Sequence, residues 1–211
     1  HRRRHSFPTR RSSDLEQIIR RCVAVEAGYV NNPADKGGET KCGITAATAA
    51  EHREGLIKRF QWNGRMIDLT EEMAMWIYQT SWWDRLCLDE VLKIHPFIAD
   101  RLFDFGVNAG RGAAGTNLQR ILNVMNRMQQ DYKDLKVDGT IGPGTINTLK
   151  AYVAKRGQDG VLNLIQLLVD LQGAHYVQIA EKRELNETFM SGWTTRVREA
   201  NELYQHVLQG A

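Results

Sequence analysis

The stretch Glu-Ala-Gly-Tyr-Val-Asn-Asn-Pro-Ala-Asp-Lys-Gly-Gly-Glu-Thr-Lys-Cys-Gly-Ile-Thr, at residues 26–45, decides how this chain folds. It joins the end of an apolar helical pattern to a segment that holds two carboxylates, Glu26 and Asp35, and a hydroxyl, Thr40. Glycine, proline and asparagine recur through the segment, a composition typical of turns. The stretch therefore predicts a helix end that faces a polar loop.

Apolar residues before this stretch follow the spacing of one buried helix face. They are Leu15, Ile18, Ile19, Cys22 and Val23. Glu26 comes four residues after Cys22, so we expect its carboxyl on or beside that face, at the helix C-terminus. Partial burial and the helix dipole both favour the protonated carboxyl there, which is the form that a general acid needs. A solvated glutamate at a frayed helix end has the same spacing.

Carboxylates are the reactive groups that this sequence offers. A glycosidase needs an acid that protonates the leaving oxygen and a second group that handles water or the cation. Glu26 suits the first role, and Asp35 and Thr40 are candidates for the second. The sequence has no His-Glu-x-x-His, Cys-x-x-Cys, phosphate-loop or Gly-x-Ser-x-Gly pattern. We therefore expect no metal and no cofactor.

Several motifs together resemble glycoside hydrolase family 108, whose members are N-acetylmuramidases found largely as phage and prophage endolysins. Besides residues 26–45, the resemblance rests on Tyr78 with Trp82-Trp83, Phe103-Asp104 with Val107-Asn108-Ala109-Gly110, and Gly192-Trp193 with Arg196-Val197. It runs from about Glu16 to the C-terminus. The resemblance implies a mainly α, lysozyme-like fold with a small loop or hairpin lobe, in which Glu26 is the catalytic acid.

The same motifs suggest four substrate-binding residues, which are Tyr29, Trp83, Asp104 and Asn108. One tryptophan of the Trp82-Trp83 pair fits the core, and the other fits a sugar face. A solvated helix face would also space Asp100, Asp104 and Asn108 four residues apart.

Two positions near the presumed cleft depart from the family pattern. Ala27 stands where the family usually has glycine, and Cys42 stands where it usually has tyrosine. Neither change removes a carboxylate, but both could alter activity. The three cysteines are odd in number and lack metal-ligand spacing, so we interpret them as reduced, packed thiols.

Residues 6–15 resemble the translation of a sequencing-library adapter and show no hydrophobic period, and the run from His1 is rich in arginine. We expect residues 1–15 to be disordered and exclude them from the fold. The competing interpretation is an arginine-rich arm that binds nucleic acid or membrane phosphates. Because these residues hold five arginines and one aspartate, leaving them out lowers the formal charge by four, from +3 to −1. The basic charge therefore gives no reason to expect a nucleic-acid partner.

The rest of the chain is predicted to form a lysozyme-like catalytic region at 16–110 and a helical region at 111–211 packed on it. The second region resembles a small peptidoglycan-binding fold through Leu118-Gln119, Asp138-Gly139, Ile141-Gly142 and Thr145. A purely structural helical hairpin explains these residues equally well. The apolar segment 161–171 is short and interrupted by polar residues, so we expect a buried helix and no membrane insertion.

Local signals predict where several helices begin and end. Thr45 and Thr70 are expected to be N-cap residues, and Pro96 to occupy the first position of a helix. Gly55 is expected to end the helix that Thr45 starts. Residues 60–69 are expected to be turn-like around Asn63-Gly64, with a small hairpin as one option. Two further helices are predicted at residues 160–185 and 189–208.

The leading interpretation is a monomeric endolysin that hydrolyses the β-1,4 bond between N-acetylmuramic acid and N-acetylglucosamine in peptidoglycan glycan strands. One alternative is a lytic transglycosylase, in which one glutamate closes the muramic ring on itself. Another is a non-catalytic cell-wall-binding or secretion-assisting protein. No signal peptide is visible, so we expect synthesis in the bacterial cytoplasm and action on the wall after release, by a holin-type route or lysis.

Overall fold

The computed structural model describes residues 10–25, 28–31 and 38–209. Within these ranges the chain divides into two compact units, one up to Trp83 and one from Asp84 onward. Helices form most of each unit, and the described strands make one small sheet in the first unit. The predicted mainly α fold with a small hairpin lobe is confirmed.

The first unit combines helices with three two-residue strands. Its elements are α1 (Arg10–Val25), β1 (Tyr29–Val30), β2 (Thr40–Lys41), β3 (Ile44–Thr45), α2 (Ala46–Glu51), α3 (Arg53–Phe60), a 3₁₀ turn (Met66–Asp68), α4 (Glu71–Tyr78) and a π-helical segment (Gln79–Trp83). Helix α1 packs against α4, with Ile19 and Val23 each only 1% exposed. This agrees with the apolar stripe read from the sequence.

Helix α1 begins earlier than predicted. Residues 10–15, which we excluded from the fold, are helical, and Leu15 is half-buried. No glycine or proline separates them from the rest of the helix, and Leu15 extends its apolar face. The proposed adapter origin of residues 1–15 stays a prediction.

Two of the predicted helix caps in this unit are confirmed, and one helix end is wrong. The hydroxyl oxygen of Thr45 accepts a hydrogen bond from the Thr48 N–H at 3.2 Å, and that of Thr70 accepts one from the Met73 N–H at 3.3 Å. Gly55, however, lies inside α3. A Cβ atom there would lie 2.4 Å from the ring of Trp76, so glycine serves close packing at this position. The segment around Asn63-Gly64 is turn-like as predicted and leads into the 3₁₀ segment, but residues 60–69 form no hairpin.

The second unit is built from helices. Its elements are α5 (Leu88–Ile94), α6 (Pro96–Ala109), α7 (Arg111–Val124), α8 (Pro143–Lys182), a 3₁₀ segment (Glu184–Phe189) and α9 (Met190–Gln209). Pro96 opens α6 as predicted, and Gly157, with φ 59° and ψ −152°, kinks α8. Among the described residues, no helix has both the length and the apolarity to cross a bilayer.

Helix α6 packs against α5, α7 and α8 inside the second unit. Its buried side chains include Ile98, Leu102 and Phe105. The predicted region boundary after residue 110 falls between α6 and α7, two helices that pack on each other. The division of the chain into regions 16–110 and 111–211 stays a prediction.

A buried glutamine fixes the loop between α7 and α8. Gln119 is 2% exposed, and its Nε2 donates to Asp138 Oδ1 at 2.9 Å and to the Thr140 carbonyl at 3.0 Å. Its Oε1 accepts from the backbone N–H groups of Asp138 and Gly139 at 3.0 and 2.8 Å. The residues that suggested a peptidoglycan-binding fold thus hold this loop in place.

Candidate functional site

In the sequence, the segment that contains Asp35 joins strands β1 and β2 of the first unit. Strands β1 and β2 pair antiparallel, with Tyr29 opposite Lys41 and Val30 opposite Thr40. Glu26 and Asp35 lie outside the described residues, so their separation stays a prediction. Tyr29 and Thr40, in contrast, are brought onto neighbouring strands.

Tyr29 is held by a carboxylate that the sequence interpretation missed. Its hydroxyl donates to Glu39 Oε1 at 2.6 Å, and this hydrogen bond is the main reason why the pKa of Tyr29 is raised. The Glu39 carbonyl also accepts from the Ala46 N–H at 2.8 Å, which ties the start of α2 to the sheet. The position of Glu39 directly before Thr40 was the available signal for this contact.

A two-residue turn joins β2 to β3 and places Cys42 in a rare backbone conformation. Cys42 and Gly43 have φ values of 52° and 73°, the pattern of a type I′ hairpin turn. Cys42 is 5% exposed, and its burial raises the pKa of the thiol, which makes it a poor nucleophile. The Tyr78 hydroxyl donates to the Cys42 carbonyl at 3.3 Å. Tyr78 thus supports the turn from α4.

One tryptophan of the Trp82-Trp83 pair lies in the core and the other keeps accessible surface. The buried one is Trp83, which we had assigned to substrate binding. Trp83 is fully buried and offers no ring face to a sugar in this structure. Trp82 is half-buried and lies 5.3 Å from Tyr78 between ring centroids, with an angle of 39° between planes. Trp82 is therefore the member of the pair with accessible surface.

The same π-helical segment contributes a polar contact that the sequence did not suggest. Ser81 Oγ lies 2.6 Å from His52 Nε2, and the histidine tautomer decides which atom donates. The His52 ring also meets Trp76 edge-on at 5.6 Å. π-helical turns occur frequently at functional sites.

Asp104 and Asn108 lie on α6 in the second unit, within a network that joins three helices. Asp104 Oδ1 accepts from Arg196 Nη1 of α9 at 2.9 Å, and its Oδ2 accepts from Gln172 Nε2 of α8 at 2.8 Å. Asn108 Nδ2 donates to the Asp104 carbonyl at 2.7 Å. These contacts give Asp104 a structural role, and its contact with substrate stays a prediction.

The polar stripe of α6 is not a solvated face. Asp100 is 5% exposed and forms an ion pair with Arg101 at 2.7 Å. The side chain of Asp104 is 18% exposed and lies 3.9 Å from the Arg101 guanidinium. Burial opposes the charge of Arg101, but the two carboxylates outweigh it and raise the pKa of the guanidinium.

Among the described residues, no three His, Cys, Asp or Glu side chains cluster around a point. The cysteines among them carry free thiols. A groove of about 500 Å³ is lined by residues of α1, α3 and α4. Its polar lining includes the Arg20–Glu71 pair, whose side chains are both about half exposed.

Two family models match different segments of this chain. Residues 19–110 match the family model described as Glycosyl hydrolase 108. This match confirms the resemblance read from the sequence, over a little under half of the chain. Residues 113–198 match a second model, described as Predicted Peptidoglycan domain. Together the two matches support a hydrolase of the bacterial cell wall.

A solved structure supports the fold of this chain along most of its length. The structure of Brucella abortus SagA is similar with a TM-score of 0.63 and 24% sequence identity. The match covers 92% of this chain and 95% of that one. At this identity the likeness shows the fold alone. Among curated proteins, none matches significantly.

The glycosyl hydrolase 108 match spans all the predicted site residues. Of those that the structure describes, Tyr29, Thr40 and Trp83 belong to the first unit and Asp104 and Asn108 to the second. The sheet offers a hydroxyl and a held tyrosine beside the segment that carries Asp35. Such groups suit the positioning of a sugar and a water molecule.

Proposed function

We propose that this chain is an endolysin-type N-acetylmuramidase, which hydrolyses the β-1,4 bond between N-acetylmuramic acid and N-acetylglucosamine. The observation that carries the proposal is the glycosyl hydrolase 108 match at residues 19–110, a span that includes Glu26, Asp35 and Thr40. The peptidoglycan domain matched at 113–198 is consistent with the same polymer.

Glu26 acts as the general acid in this proposal. It directly follows Val25, the last residue of α1, where the helix dipole favours an uncharged carboxyl. Glu26 donates its proton to the glycosidic oxygen, so the N-acetylglucosamine side leaves as a neutral alcohol. Water then adds to C1 of the muramic acid residue, and Asp35 accepts the proton that this water gives up.

Thr40 orients the water molecule. A threonine hydroxyl is a poor nucleophile without an adjacent base, so a hydrogen-bonding role suits it better. Its place in β2, five residues after Asp35 in the sequence, supports this assignment. Water held on the face opposite the acid gives inversion at C1, and we expect Glu26 and Asp35 to lie roughly 6.5–9.5 Å apart.

The stereochemistry has its own test. Proton NMR of the first-formed reducing sugar should show the α-anomer, because the substrate bond is β. An initial β-anomer, or a trapped glycosyl-enzyme adduct, would contradict inversion.

The reaction class is tested with outer-membrane-permeabilised cells, by following turbidity and weighing the released fragments by mass spectrometry. Hydrolysis gives reducing-end muramic acid. Anhydro products lighter by one water would identify a lytic transglycosylase instead, and binding to the wall without fragment release would identify a non-catalytic protein. We also propose that the enzyme is made in the cytoplasm and reaches the wall after release, by a holin-type route or lysis.

A further inference from the structure

Two aromatic side chains lie exposed where the 3₁₀ segment meets α9 in the second unit. Phe189 is 54% exposed, and Trp193 is half-buried. Their ring centroids lie 5.8 Å apart, with an angle of 32° between the planes. We call this pair the aromatic platform. Large aromatic side chains are highly buried on average, so two neighbouring rings that keep accessible surface are a candidate binding surface.

The aromatic platform is held rigidly from behind. Tyr176 of α8, which is 1% exposed, stacks on Trp193 with ring centroids 4.9 Å apart and nearly parallel planes. Gln172 Nε2 donates to the Tyr176 hydroxyl oxygen and to Asp104 Oδ2, both at 2.8 Å. Arg196 lies three residues after Trp193 on α9 and is anchored on Asp104. A ring fixed in this way loses little conformational freedom when a ligand stacks on it.

The size of the aromatic platform distinguishes between two kinds of ligand, a second copy of this chain and a sugar. Two partly exposed aromatic side chains offer on the order of 100–250 Å² of accessible surface. A stable interface with a second protein needs about 800 Å² on each partner. The platform is therefore too small for a second copy of this chain, but it matches one or two sugar rings.

The chemistry of N-acetylated sugars fits two neighbouring aromatic rings. A pyranose ring presents a face of C–H groups, which packs against the electron-rich face of an aromatic ring. The N-acetyl methyl group of the next sugar adds a second apolar contact. Both platform residues lie inside the span that matches the peptidoglycan domain, residues 113–198.

We propose that the aromatic platform of Phe189 and Trp193 binds N-acetylated sugar rings of the peptidoglycan glycan strand by stacking. The inference rests on the proposed function for the choice of polymer. The platform holds the enzyme on the wall, and the bond that is cut does not have to contact it.

The test compares two variants of the full chain at exposed apolar side chains of the second unit. Phe189→Ala shortens the aromatic platform, whereas Met128→Ala removes a side chain that is 88% exposed elsewhere in the unit. Cosedimentation with purified sacculi at 4 °C, and with chitin and cellulose beads, gives the Kd. We expect Phe189→Ala to weaken binding to sacculi and chitin roughly tenfold, or about 1.4 kcal/mol. Met128→Ala should leave both unchanged.

Three outcomes would overturn the inference. In the first, Phe189→Ala binds sacculi as tightly as Met128→Ala does, with an unchanged Tm for both variants. In the second, only binding to sacculi falls while binding to chitin persists, so that the ligand is the peptide and not the sugar. In the third, sedimentation shows a wild-type dimer that Phe189→Ala dissociates, so that the platform is a self-interface.

The results also separate this inference from the proposed function. Wild-type protein that binds sacculi through Phe189 but releases no fragments would contradict hydrolysis and leave the aromatic platform standing. If fragments are released and Phe189→Ala does not change binding, hydrolysis stands and the aromatic platform is contradicted. Trp193→Phe keeps a ring on Tyr176 and should therefore retain more binding than Trp193→Ala, with both variants measured well below their Tm.

Discussion

Replacing Asp104 with alanine tests whether this carboxylate braces the second unit. The truncation removes a hydrogen bond from Arg196 at 2.9 Å and one from Gln172 at 2.8 Å. Both are hydrogen bonds to a charged carboxylate, each of which contributes about 1.5–3 kcal/mol when it is shielded from water. The side chains of Asp104 and Arg196 are 18% and 24% exposed, so water replaces these contacts only in part. We expect a loss of roughly 2–4 kcal/mol in the free energy of unfolding.

Urea unfolding followed by far-UV circular dichroism measures this loss, and a thermal scan should show a Tm lower by roughly 5–15 °C. Asp170→Ala is the matched control, because Asp170 is an exposed carboxylate of α8 that contacts Gln166. It should change the unfolding free energy by no more than about 0.5 kcal/mol. If Asp104→Ala is as stable as Asp170→Ala, the bracing role is refuted. Lost activity at unchanged stability would point instead to substrate contact.

Three further predictions concern the fold. Gly115→Ala should lose roughly 1–3 kcal/mol of stability, because its methyl group would lie 2.1 Å from the Gly139 carbonyl oxygen; Gly112→Ala meets nothing within 4 Å and should be neutral in the same urea assay. Burial raises the pKa of Tyr132 to about 12, compared with about 10 in the unfolded chain. The neutral tyrosine therefore contributes fully to the stability of the fold below pH 10, and this contribution is lost as the pH rises to 12. Circular dichroism should show a smaller alkaline loss in Tyr132→Phe, and an equal loss would contradict the shift. A fragment of residues 16–110 should not unfold cooperatively by calorimetry, because α6 would lose α7 and α8; a two-state transition would refute this.

Local signals in the sequence predicted the local structure well. Thr45, Thr70 and Pro96 start helices because a cap or a fixed φ acts over only three or four residues. The prediction that Gly55 ends a helix was wrong. Its meaning depends on Trp76, a residue from another helix, and no pattern within α3 reveals that contact.

The sheet was the least predictable part of the fold. Each strand has two residues, too few for an alternating pattern, and Cys42 is an unusual residue for a turn that needs positive φ. For the same reason Glu39 was missed, since its contact with Tyr29 depends on the pairing of β1 with β2.

The residue types alone could not show which side chains lie in the core and which belong to the candidate site. Trp82 and Trp83 are identical in the sequence, and only the packing shows that Trp83 is the buried one. Asp104 carries a family motif, but its partners come from α8 and α9, far along the chain. Glu26 and Asp35 lie outside the described residues, so their roles depend on experiment.

The most direct measurement compares Glu26→Gln with wild-type protein and with Glu51→Gln, a variant at an exposed glutamate of α2. The assay is the rate of clearing of permeabilised cells, with fragments identified by mass spectrometry and the fold checked by circular dichroism. Glu26→Gln should lose at least ~10²-fold in rate, because the amide cannot donate the proton that the leaving oxygen needs. Glu51→Gln should clear cells at the wild-type rate. Clearing by Glu26→Gln at near the wild-type rate would contradict the assignment of Glu26 as the catalytic acid.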